Sequence, residues 1–79
     1  MQGPDPTILE DLIKVTMPFG KYKGTIISRL PMHYLEWMIQ NRAVPNGRMG
    51  MLIHTIYEIK LNNLEYLLSN MPRNPSQRR

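Results

Sequence analysis

MPFGKYKG, residues 17–24, is the stretch on which the fold turns: two glycines four positions apart bracket Lys21-Tyr22-Lys23, directly after Met17-Pro18-Phe19. Glycine reaches positive φ without a Cβ clash, so Gly20 and Gly24 allow the backbone to reverse at both corners of a loop. Pro18 biases Met17 towards extended geometry, and Thr25-Ile26-Ile27 beyond the loop is β-branched. The segment from Met17 to Leu30 thus reads as a β-hairpin that shows Lys21, Tyr22 and Lys23 at its turn and sends Phe19, Ile26 and Ile27 into the core. A lone hairpin is marginal in water, so helices must cover its apolar face.

Upstream, Asp5-Pro6 reads as N-cap and first helical residue of a short helix that ends near Lys14, with Ile8, Leu9, Leu12 and Ile13 on one stripe. Downstream, Leu30-Pro31 starts a second helix with Tyr34, Leu35 and Met38 on one face. Val44-Pro45-Asn46-Gly47 breaks that pattern. A third and longest helix is expected from about Arg48 or Met49 to Leu68, along a track containing Met49, Leu52, Ile53, Ile56, Tyr57, Lys60 and Leu64. Lys60 on this track can snorkel, and Asn62-Asn63 is poor helix-interior sequence that marks a bend or an early end. The expected fold is α+β: a short N-terminal helix, a β-hairpin, and two helices packed over it.

The chain of 79 residues carries one core, so residues 1–70 form a single small domain. Residues 71–79, rich in Pro, Ser and Arg, read as a disordered basic tail. The net charge of +4 sits mostly there: without Arg73, Arg78 and Arg79, seven basic residues face six acidic ones. Charge alone is therefore a weak pointer to nucleic acid. With no cysteine there is no disulfide framework. No run is long and apolar enough to span a membrane and no signal peptide is apparent, so a cytoplasmic location without membrane association is expected.

Four blocks in order carry a resemblance: MPFGKYKG; Leu30-Pro31 with Tyr34-Leu35 and Trp37; Pro45-Asn46-Gly47-Arg48-Met49-Gly50; and Tyr57-Glu58-Ile59-Lys60-Leu61-Asn62. Together, from Asp5-Pro6 to about Leu67, they resemble the small bacterial domain family described as "putative quorum-sensing-regulated virulence factor". The resemblance implies a small α+β domain of unproven molecular function, and the virulence label describes regulation, not chemistry. The FGKYKG segment with the following LP and YL-x-W is also similar to one appended to some bacterial exonucleases of the DEDD class. That likeness implies a connection with nucleic acid but no nuclease activity, because the acidic metal-binding residues are missing here. Asn63 stands where a KLNGLE pattern has glycine, which implies that the helix runs on.

The chemistry-bearing residues admit two readings. Lys21 and Lys23 on a hairpin tip are a standard protection of a sheet edge; equally, they suit phosphate contact with Tyr22 stacked on a base. GKYKG lacks the P-loop order. Trp37 beside Tyr34 reads first as a core anchor, and, if exposed near Tyr22 and Arg42, as part of an aromatic-basic patch. Helical spacing assigns the methionines to packing, with Met51 the exposed member. Glu58 with Arg29 or Lys21 is a conceivable buried ion pair, whereas Glu65 lies five beyond Lys60, too far for an i,i+4 pair. His33 and His54 have no partners of metal-site or nucleophile spacing, and no cofactor or metal is expected.

The sequence thus leads to a non-catalytic binding module associated with nucleic acid through Lys21, Tyr22 and Lys23, with Arg29, Trp37, Arg42, Arg48 and the arginine tail as further candidates. The alternative is a protein-interaction or regulatory module that homodimerises or docks on a protein partner.

Overall fold

The computed structural model describes residues 6–69, so the expected cap at Asp5 and the basic tail lie outside the described residues. Four helices follow in order: α1 Pro6–Leu12, α2 Met32–Gln40, α3 Gly47–Leu61 and α4 Tyr66–Ser69, with a 3₁₀ turn at Ile27–Arg29 before α2. The expected α+β fold is corrected. Among the described residues there is no sheet, and all that remains of the hairpin is one isolated antiparallel bridge between Thr16 and Ile26.

The reason lies in how the backbone spends its donors and acceptors around residues 15–30. The chain does reverse: Met17 N–H donates to the Thr25 carbonyl at 2.8 Å, Gly24 N–H to Met17 at 2.8 Å, and Ile27 N–H to Val15 at 2.9 Å. The next donor facing the return arm would be Phe19, and the bend at Phe19-Gly20 takes it out of the ladder. On the return arm Arg29 N–H donates to Ile26 and Leu30 N–H to Ile27, which winds the chain into the 3₁₀ turn instead of a strand. Gly20 and Gly24 take φ of +79° and +88°, so the glycine-permitted reversal is as expected.

Phe19 does not plug the interior; it is 41% exposed. In a strand, Met17 and Phe19 would share a face. The bend at Phe19-Gly20 ends that alternation, and the inward positions fall instead to Met17 and Ile27, both buried. Ile26 is half-buried.

The core gathers Ile8 and Leu12 of α1, Met17, Ile27 and Leu30, Leu35 and Met38 of α2, and Leu52, Ile53, Ile56 and Ile59 of α3. The α3 residues recur at one-face helical spacing, and α1, α2 and the 3₁₀ turn all pack on this helix. Met17 and Met38 are buried and Met51 is exposed, as their spacing predicts. Gly50 lets α3 start close to the preceding chain: a Cβ there would collide with the Pro45 carbonyl.

The long third helix is shorter than expected because it and α2 stop in the same way. Asn41 caps α2 and Asn62 caps α3, and each following residue, Arg42 or Asn63, takes positive φ (55° and 58°). Ala43 N–H donates back to Met38 and Leu64 N–H back to Ile59, both at 2.8 Å, while Arg42 and Asn63 donate to Ile39 and Lys60. These bonds form a Schellman motif at each end. Asn63 therefore does the work of the glycine it replaces, since asparagine tolerates left-handed backbone better than most residues. Helix α4 then returns against α1. The reversal also corrects the expectation for Glu65, which accepts from Lys60 Nζ at 2.8 Å because the two residues no longer lie on one continuous helix.

Candidate functional site

The 19–24 turn and α2 form the two walls of a groove. Positive φ at Gly20 and Gly24 folds the turn back on itself, with Lys23 N–H donating to Gly20 and Thr25 N–H to Tyr22. Gly20 also makes room on the α2 side: a Cβ at this position would stand 3.0 Å from the Tyr34 hydroxyl. Tyr34 and Trp37, three apart on α2, fall on one helical face, with His33 beside them.

These elements bring three rings together. Tyr22 and Tyr34 have centroids 4.6 Å apart and planes tilted by 59°. Tyr34 and Trp37 lie 6.1 Å apart and nearly parallel, at 13°. Lys21 Nζ sits 5.6 Å from the Tyr22 centroid, a cation–π arrangement. The groove encloses about 610 Å³, with Phe19, Gly20, Lys21 and Tyr22 on one wall and His33, Tyr34, Trp37, Met38 and Ala43 on the other. Trp37 is 52% exposed, so it is not the core anchor that its neighbourhood suggests; Leu35 and Met38 hold that place on α2.

The candidate residues divide accordingly. Lys21, Tyr22 and Trp37 line the groove. Lys23 is exposed on the same turn, and Arg42 is exposed next to Ala43 of the lining. Arg29 is exposed at the end of the 3₁₀ turn, outside the lining. Arg48 is committed elsewhere: its Nη2 and Nε donate to Asp11 Oδ2 at 2.6 and 3.2 Å, tying α3 to α1. Sequence reasoning missed Phe19, His33 and Tyr34 as groove residues. The i,i+3 pair Tyr34/Trp37 was the available signal, but it reads equally well as core.

Charge is distributed unevenly. Lys14 pairs with Glu10, Arg48 with Asp11 and Lys60 with Glu65. Among the described residues Lys21, Lys23, Arg29 and Arg42 make no ion pair, and neither do Glu36 and Glu58, so the conceived Glu58 pair with Arg29 or Lys21 does not form. Among the described residues no three His, Asp or Glu side chains gather where they could hold a metal ion. Within the described residues no helix is long and apolar enough to cross a membrane.

Comparison with known proteins gives a family for the sequence. Residues 5–71 match the family described as "Putative quorum-sensing-regulated virulence factor". The chain is also similar to "Uncharacterized protein YpeB" of Escherichia coli strain K12, and to the protein of the same name in Escherichia coli O157:H7. Each is 37% identical over 67 residues, covering 81% of this chain and 93% of the relative. No solved structure gave a significant match.

Proposed function

This chain belongs to the family described as "Putative quorum-sensing-regulated virulence factor", a name that carries no chemistry, and from the groove we propose that it is a non-catalytic cytoplasmic module that binds single-stranded nucleic acid. Unpaired bases stack in the groove on Trp37 and the Tyr22/Tyr34 pair, and Lys21 and Lys23 neutralise phosphates at the rim, with Arg42 close to its far end. The observation that carries the reading is the joining of the exposed Trp37 and the half-buried Tyr22 and Tyr34 to cations that make no ion pair among the described residues. Aromatic platforms beside a positive rim suit single strands because every base has a π-face, and each stacked base contributes about 1–3 kcal/mol. A duplex hides those faces.

Fluorescence anisotropy of labelled oligonucleotides at low salt tests this. Single strands should bind more tightly than duplexes of the same sequence, the complex should weaken as salt rises, and Lys21→Ala and Lys23→Ala should each flatten the salt dependence. Absence of binding to any single strand at low salt would sink the proposal.

A protein-docking module is the second reading, supported by the largely apolar groove wall and by the exposed Met51, Leu61 and Tyr66 elsewhere on the surface. Sedimentation analysis addresses its homodimer form: a monomer at high protein concentration counts against it.

A further inference from the structure

We infer that the groove takes a short unpaired element of about two nucleotides, such as a strand end or a bulge, and does not track a continuous strand. The inference rests on the nucleic-acid reading above and concerns only how much of a strand is held.

Three features limit the footprint. The cavity of about 610 Å³ falls within the range of roughly 300–1,000 Å³ that buries one drug-sized ligand, and a dinucleotide is a ligand of that size. The ring track is equally short, with centroid steps of 4.6 Å from Tyr22 to Tyr34 and 6.1 Å from Tyr34 to Trp37. Finally, among the described residues the unpaired cations other than Arg29 sit on the groove's turn or next to its lining in sequence. Lys21 and Lys23 lie on its turn and the exposed Arg42 directly precedes Ala43 of its lining, a set suited to two or three phosphates. Lys14, Arg48 and Lys60, which could have prolonged a basic path over α1 and α3, are each held by a carboxylate. Proteins that follow a strand over about 4–16 nucleotides continue both the stacking surface and the positive groove; here, among the described residues, the ring track stops at Trp37 and Arg29 is the one unpaired Lys or Arg away from the groove.

Trp37 is the sole tryptophan, so its emission reports the groove directly. Unlabelled single strands of about two, four, eight and sixteen nucleotides, the upper part of this range matching the sites of strand-tracking proteins, are titrated across a series of salt concentrations. The expected result is an affinity per binding register that changes less than about twofold beyond four nucleotides. The log–log salt slope should be about −1.4 to −2.1 for strands of four nucleotides and longer, corresponding to two or three phosphates at about 0.7 each, and about −0.7 for the dinucleotide, which carries a single phosphodiester. Affinity per register rising about tenfold with each doubling, with a steepening slope, would overturn the short footprint while leaving nucleic-acid binding intact. No response of Trp37 emission and no anisotropy change with a strand of any length would instead overturn the underlying reading.

Discussion

Where α1 meets α3, Arg48 is fastened to Asp11 at 2.6 Å, and Ile8, Leu12 and Ile53 are shut away from water. Where the 19–24 turn meets α2, Lys21 has only a tyrosine ring for company, and two large aromatic side chains, Phe19 and Trp37, stay in solvent. Both regions join segments distant in sequence and both mix cations with apolar groups. One is closed and satisfied; the other is open and holds back its cations from carboxylates. An exposed set of rings in so small a domain forgoes hydrophobic stabilisation of about 25 cal/mol per Å² of apolar surface left in water. The contrast separates a closed α1–α3 seam from an open groove to which recognition is here proposed, and it can be attacked from either.

The largest effect is expected at Gly50. Gly50→Ala drives a methyl group into the Pro45 carbonyl, backbone that cannot swing aside as a side chain could, and should cost about 3 kcal/mol. Urea denaturation followed by circular dichroism reads the loss as a lowered midpoint; a midpoint within error of the parent chain would mean that this close approach does not hold the fold.

Trp37→Ala inverts the pattern. Oligonucleotide affinity should fall by about 1–3 kcal/mol, the contribution of one stacked base, while the urea midpoint moves little because half the indole is already in water. Equal losses of binding and stability would erase the division between the two regions.

Arg42→Gly sharpens it further, since this position touches both properties. Relief of the left-handed backbone at φ 55° should stabilise the chain by up to about 1 kcal/mol, and removal of the cation should make the salt slope shallower by about 0.7. Thermal melting and salt-dependent anisotropy measure the two separately. A shallower slope without stabilisation would confine Arg42 to the ligand side.

Asp11→Asn should have the smallest effect. Its pair with Arg48 is partly exposed, so screening keeps its contribution at about 0.5 kcal/mol or less, and single-strand affinity should not change. A gain in affinity would show that the freed Arg48 reaches the ligand.

Much of the helical framework was legible beforehand. The i,i+3,i+4 recurrence placed α1, α2 and the body of α3, and it also sorted the methionines into buried and exposed. The glycine spacing located the chain reversal. The strands were misread because β-branched residues at 25–27 fit a strand equally well whether or not the backbone on either side continues one. The bend at Phe19-Gly20 and the 3₁₀ turn at Ile27–Arg29 decide against it. Asn63 was read through the glycine missing from it, whereas its tolerance of positive φ was the property that mattered.

Periodicity and glycine chemistry are local, so the residue order alone determined α1, α2 and the body of α3, the reversal at Gly20 and Gly24, and the exposure of Lys21 and Lys23 on it; Tyr22, expected beside them, is half-buried against Tyr34. Which aromatic residue fills the interior and which faces water depends on what arrives from elsewhere in the chain. Packing of α3 against α2 gave the inner positions to Leu35 and Met38 and left Trp37 outside; the bend at Phe19-Gly20 did the same for Phe19. Only tertiary structure could pair Arg48 with Asp11 and leave Lys21 beside the rings, because a carboxylate 37 residues away in sequence becomes a neighbour only once the chain has folded.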